Sequence, residues 1–358
     1  MVLRGLVAKP ASSVGITYDD FFLEHDTGLF HPESRNRFLN LPELFSRIKN
    51  EKLTLFYTPR PATEGEVLTA HSSDYIEMVK SLSALSTHSY IDVDTVVGPG
   101  SYYVALLSAG ASLTLLERMM DGKIRAGFAI VRPPGHHAVR TTGMGFCIFN
   151  NAVIAANYAL RELGFKKIAI FDWDVHHGNG VQDAFYQQNQ VLYASIHQYP
   201  HYPGTGNFDE VGTGKGEGYT VNVPVPAGSG DFQYLMAFDR IFLPVFQQYE
   251  PDLIIVCAGY DALETDPLSS INLKHPTFQK MAYSLRILAD RLCGGMLLST
   301  LEGGYDPGEL AKGIEATLRG FNNLKPRDGN AIEEGPKSKP LDDHLEKIRA
   351  YLNRYWKL

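Results

Sequence analysis

A chain of 358 residues, 44% of them hydrophobic, is long enough to bury a large core as one α/β domain or as two. Its 33 basic and 40 acidic side chains leave a formal charge of -7 without a long basic run, which argues against nucleic acid as a partner. Cys147, Cys257 and Cys293 are too few and too scattered for a disulfide framework, and no apolar run reaches signal-peptide or membrane-span length, so a cytoplasmic protein without a membrane partner is expected.

In chain order, β-branched and aromatic runs predict eight strands at 14–18, 53–57, 128–131, 168–172, 191–196, 219–223, 253–257 and 296–301. Several are apolar at every position, as strands covered on both faces of a mostly parallel sheet must be. Helical patterns alternate with them: 101–120, capped by Ser101 and ended by Asp121-Gly122, then 151–163, 232–249, 277–292 and 309–321. The expected architecture is a single wound α/β sheet with helices on both faces. Residues 325–340, rich in Pro, Gly and charge, read as a linker to a last helix at 341–355 packed on a domain of 1–324.

The unusual polar groups follow strands. Arg-Pro-Pro-Gly-His-His comes after 128–131, Asp-Trp-Asp-Val-His-His-Gly-Asn-Gly closes 168–172, and Ser195 and His197 end the next run. Ala-Gly-Tyr-Asp follows 253–257, and Glu-Gly-Gly-Tyr follows 296–301. In an open parallel sheet these loops meet at the carboxyl edge, where ligands bind. In extended backbone Asp172, Asp174 and His176 share one side, with a turn expected at 178–180. Carboxylates and an imidazole there read as part of a metal site, and Asp174, His176 and Asp261 supply the three ligands that a catalytic zinc usually takes. Two carboxylates neutralise a divalent ion, so its water is acidified weakly and a separate base is needed. The adjacent His136 and His137 on a Pro-Gly turn offer it. Tyr305, behind two glycines on a loop able to move, can donate to an oxyanion; Glu302 reads as no more than a strand-end carboxylate.

Taken together, residues 132–138, 143–147, 172–180, 258–261 with 266–268, and 302–305 resemble the zinc-dependent histone deacetylase family over roughly 18–324. The Glu-Gly-Gly-Tyr form and Asn179 are similar to class II members, to bacterial deacetylase-like amidohydrolases and to acetylpolyamine amidohydrolases. The resemblance implies an arginase-like fold of eight parallel strands and one catalytic zinc on Asp174, His176 and Asp261. It implies His137 as the main general base and acid, His136 as its electrostatic partner and Tyr305 as the carbonyl-polarising donor. Asp172, first grouped with the ligands, then pairs with His136 and, with Ser195 and the carbonyls of Asp174, His176 and Ile196, holds a structural monovalent cation, normally potassium. Asn179 stands where some members carry a second carboxylate, and its neutral amide is expected to leave His137 less basic than in those members.

The same resemblance implies a substrate tunnel lined by Gly145, Phe146, Tyr202 and Leu268, entered past the loop 24–33, and sized for the stem of an acyl-lysine. The expected reaction removes an acetyl or related acyl group from a lysine side-chain amine in a peptide or protein, with homo-oligomers allowed. The rivals are an acetylpolyamine or small acylated-amine deacetylase, a two-manganese ureohydrolase using Asp261 and Asp266, and a non-catalytic acyl-lysine binder. The last is disfavoured because Tyr305 and the tandem histidines are all present.

Overall fold

The computed structural model describes residues 14–326 and 339–358. Its strands are β1 (Val14–Thr17), β2 (Thr54–Tyr57), β3 (Ser89–Tyr90), β4 (Val96–Val97), β5 (Ala126–Ala129), β6 (Ile168–Asp172), β7 (Val191–Gln198), β8 (Thr220–Val225), β9 (Leu253–Ala258) and β10 (Leu297–Leu301). Eight of them form one parallel sheet in the order β2-β1-β5-β10-β9-β6-β7-β8, matching the eight expected runs. Every residue of β1 and of β5 to β10 is buried, because helices cover both faces and leave the side chains of a strand no polar side to alternate toward. The chain folds as a single domain of this type.

The long helix Ser101–Met120 packs on β1, β5 and the helix Asn151–Arg161, while His275–Leu292 lies against Pro307–Phe321. Ser101 is not the cap. Gly100, at φ 80°, occupies that position, and the Ser101 hydroxyl is the first helical side chain, accepting from the Gly98 amide at 3.0 Å. The segment 232–249 is not one regular helix either. It runs Asp231–Ala237, widens to a π turn at Phe238–Phe242 and resumes at Leu243–Tyr249. Pro244 lacks the N–H that would bond the carbonyl four residues back, and the wider turn accommodates that loss.

The unexpected elements include the amphipathic helices Leu41–Asn50 and Ser73–Ser83 and the antiparallel pair β3 and β4, whose two-residue strands are too short to show a period. The last helix, Lys339–Leu352, buries Leu345, Ile348 and Leu352. Beyond it the Trp356 indole donates to the Gly218 carbonyl at 2.8 Å and packs edge-on to Tyr219. Residues 1–10 and most of the expected linker lie outside the described residues.

Candidate metal and catalytic site

β5, β10, β9 and β6 are consecutive in the sheet, so the loops after them are neighbours although their residues are far apart in the chain. The Asp174, His176 and Asp261 side chains, all buried, bring one potential ligand atom each to within 4.8 Å of the others. Nδ1 of His176 faces Oδ1 of Asp174 at 3.1 Å and Oδ2 of Asp261 at 3.2 Å. The remaining carboxylate positions are tied down by amides: Gly303 to Oδ2 of Asp174 at 2.8 Å, and Val175 to Oδ1 of Asp261 at 2.9 Å. A side chain at Gly303 would run into both carboxylates, so only glycine lets the loop after β10 close over them.

The electrostatics fit a cation. Burial alone would depress the His176 imidazolium, but Asp174 and Asp261 outweigh it and raise its pKa to about 10. Burial and the neighbouring Asp174 raise the Asp261 carboxyl to about 6. The two carboxylates thus favour positive charge between them, and His136 and His176 hold Asp174 ionised. Two carboxylates and one imidazole at this spacing match the donor set of a hard-to-borderline divalent ion.

Beside the cluster the two loop histidines stack obliquely, with ring centroids 3.9 Å apart. His136 Nδ1 meets Oδ2 of Asp172 at 3.1 Å, and its Nε2 lies 3.8 Å from Asp174. Against the depressing effect of burial, Asp174 and Asp172 lift its pKa to about 10. His137 is held differently: its Nδ1 lies 2.8 Å from Oδ1 of Asn179. The Asn179 amide nitrogen points to the His137 carbonyl and to Met144 Sδ, so its oxygen faces the ring and His137 Nδ1 is the donor. Nε2 is then the lone-pair nitrogen. Burial, with His136 and His176 nearby, holds His137 well below the usual histidine range. Asn179 itself opens the helix Asn179–Phe185, where a bare turn was expected.

Asp172 is in register with Ser195 across β6 and β7, and also accepts from the Tyr193 hydroxyl at 3.1 Å. The Ser195 hydroxyl bonds His197 Nδ1 at 2.8 Å, and His197 Nε2 donates to the Gly206 carbonyl. Three of the four expected wall residues, Gly145, Phe146 and Tyr202, lie against His137 or Tyr305. Tyr202 stands edge-on to His137 at 5.1 Å, and Phe146 edge-on to Tyr305 at 5.8 Å. Gly145 approaches His137 so closely that a Cβ would collide with the ring. Leu268 is fixed by its backbone, its amide on Asp266 and its carbonyl on His201. The entrance loop reaches the wall through His31, whose ring meets Phe146 at 4.7 Å, while Leu29 and Phe30 stand 89% and 97% exposed.

Several supporting residues were not foreseen. Arg132, Glu33 and Arg37 form a fully buried ion triad tying the entrance segment to the loop after β5; Arg132 outweighs burial and holds Glu33 down at about 2. Arg37 also donates to the carbonyls of Glu302 and Gly304 and covers the Tyr305 ring. His177 accepts from Thr205 and donates to Gln182, anchoring the loop that carries Tyr202, and His201 stacks on His176 at 4.9 Å. Only Glu33 and Arg37, four residues apart, left a trace in the sequence, and that spacing is common on surfaces.

An eight-stranded parallel sheet with such a cluster at its carboxyl edge defines the α/β fold of the arginase and deacetylase type. The crystal structure of the HD domain of HDA15 superposes with a TM-score of 0.85 at 34% identity, covering 97% of this chain and 96% of that one. The histone deacetylase domain model matches residues 31–321, and the chain belongs to the histone deacetylase family. A probable deacetylase of Archaeoglobus fulgidus is 36% identical over 96% of this chain and 98% of its own. The histone deacetylase-like amidohydrolase of Pseudomonas aeruginosa is 37% identical over 76% and 71%. Chloroplastic histone deacetylase 10 of Oryza sativa is 40% identical over 81% and 69%. No described helix is long and apolar enough to cross a membrane.

Proposed function

We propose that this hydrolase is a zinc-dependent deacetylase that frees the side-chain amine of an acylated lysine, acetyl-lysine first. The observation that carries the reading is the close approach of a tandem-histidine pair to a buried cluster of two carboxylates and an imidazole. Asp174, His176 and Asp261 would hold the zinc, which when bound polarises the substrate carbonyl and lowers the pKa of water. His137, neutral and with its lone pair on Nε2, takes the proton of the attacking water and returns it to the departing amine nitrogen. His136, charged against Asp172, steadies the developing negative charge from the other side. Burial keeps the Tyr305 phenol protonated far above its ordinary range despite the opposing pull of Arg37, so it remains a donor for the carbonyl oxygen.

Gly145, Phe146, Tyr202 and Leu268 would line the lysine stem, two aromatic walls suiting a chain of methylenes. A potassium ion would sit with Asp172, Ser195 and the carbonyls of Asp174, His176 and Ile196. His197 supports this: its Nδ1 accepts from the Ser195 hydroxyl, which turns the oxygen rather than the proton of Ser195 toward its other neighbours. Residues 325–358 are taken as an appendage of the deacetylase domain. Buried, unpaired Cys147 and Cys257 support a reducing compartment such as the cytoplasm. The test compares zinc-loaded protein on acetyl-lysine peptides, longer acyl-lysines and acetylpolyamines, with metal content measured. Fastest turnover on the acetyl-lysine peptide is expected; preference for acetylpolyamines would move the substrate class, and zinc-bound protein inert on all three would make it a binder.

A further inference from the structure

Glu302 reads from sequence as a strand-end carboxylate, and the reaction above gives it nothing to do. The structure puts it to use. It follows β10, which is hydrogen-bonded to β5, and its side chain runs under the loop that carries the two histidines. One oxygen, Oε2, accepts from both the Gly135 amide at 2.7 Å and the His136 amide at 3.1 Å. The side chain is fully buried, and Oε1 has no hydrogen-bond partner among the described residues. His136, Cys147 and Glu302 bring polar atoms to within 4.8 Å of one another. The Glu302 backbone is itself immobilised: its amide bonds the Ala258 carbonyl at 3.1 Å and its carbonyl accepts from Arg37, whose charge Glu33 balances. From the other side a Cβ at Gly135 would strike the backbone of Asn151 and Phe149. The turn is therefore pressed between a rigid wall and one carboxylate oxygen.

We infer that Glu302 is the positioning residue of the tandem-histidine pair, its Oε2 clamping two consecutive amides so that both rings keep their distances to Asp172 and Asn179. The inference rests on the deacetylase reading for its kinetic arm only. Losing one methylene of reach, or the acceptor altogether, frees the turn to shift by up to about 1 Å, a displacement that costs up to about 10²-fold when it misplaces a proton-transfer group. The side chains of Asp174, His176 and Asp261 and the wall residues Gly145, Phe146, Tyr202 and Leu268 lie on loops other than that after β10, while the Gly303 amide beside Glu302 bonds Asp174, so metal content is measured in every variant.

Three variants separate reach from charge. Glu302→Gln keeps an acceptor oxygen in place without the charge, Glu302→Asp keeps the charge but withdraws it, and Glu302→Met fills the space with neither. The expected result is a kcat lowered about 10- to 100-fold in the Asp and Met variants, with KM and metal content at the parent level and Gln rescuing most of the loss. Hydrogen–deuterium exchange gives an arm independent of turnover: the amides of Gly135 and His136 lose protection in the Asp and Met variants and keep it in Gln. Parent protection in Asp, or a Gln variant as slow and as exposed as Met, overturns the clamp. If the parent protein hydrolyses no acylated amine, the deacetylase reading fails, and exchange alone decides the clamp.

Discussion

At the residue scale the site separates two imidazoles of equal chemistry by the company each keeps. Burial lowers the pKa of both; at His136 the carboxylates of Asp174 and Asp172 outweigh it, while at His137 the neighbouring imidazoles add to it and the Asn179 amide offsets too little. Replacing Asn179 by Asp puts a charge 2.8 Å from His137 Nδ1 and stabilises its imidazolium. A base must be unprotonated to act, so a raised pKa moves the acid limb of the kcat/KM profile toward higher pH by about one unit or more, measurable by steady-state rates across pH. A profile that stays put would assign the base elsewhere. For Tyr305→Phe, loss of the phenolic donor should lower kcat by about 10²- to 10³-fold while a substrate-like inhibitor binds at parent affinity by calorimetry. Parent-level turnover in that variant would remove Tyr305 from the reaction.

At the element scale, the strand ends that carry chemistry are also what made the chain readable. Fully apolar runs such as Leu253–Ala258 announce doubly covered strands, and the polar groups just past them stand out by contrast. The cluster of Asp174, His176 and Asp261 and the tandem histidines beside it were legible for that reason. Arg37, His177 and the grip of Glu302 were not, since each acts through a partner more than 25 positions away, at Gly304, Thr205 and Gly135, which no local period encodes. The π turn was hidden because Pro244 reads as a helix start or a break equally well. One element invites a direct test. Trp356, just beyond the helix Lys339–Leu352, donates to Gly218 and packs on Tyr219 and Tyr249. Trp356→Ala should cost about 2 kcal/mol of stability in urea titration and leave metal content unchanged, since these contacts lie away from the metal cluster. A parallel loss of metal would show that the helix supports the site.

For the whole molecule, histidines shape the response to acid. His71 is buried with Nε2 accepting from the Asn150 amide and Nδ1 donating to the Val139 carbonyl, an arrangement open only to the neutral ring. Burial lowers its pKa to about 4, and lowers those of His25 and His177 to about 3. Each binds its proton more readily unfolded, near pH 6.5, so stability falls as pH drops through the interval from 6.5 toward these lower values. Glutamine at 71 can make both bonds without titrating. The stability advantage of the parent over His71→Gln should therefore shrink by about 2–3 kcal/mol between pH 7.5 and 4.5 in urea titrations, and a constant difference would mean that His71 keeps an ordinary pKa. The order of strands has a further effect, on assembly during synthesis. β2-β1-β5 and β6-β7-β8 share no ladder; they are joined only by β10 and β9, which enter between them and leave the ribosome last. Until then β5 and β6 present bare apolar edges, the hazard that invites mispairing. A nascent chain stopped before residue 253 is thus two half-sheets without a centre, and Asp261, the third member of the candidate metal cluster, arrives with the strand that unites them.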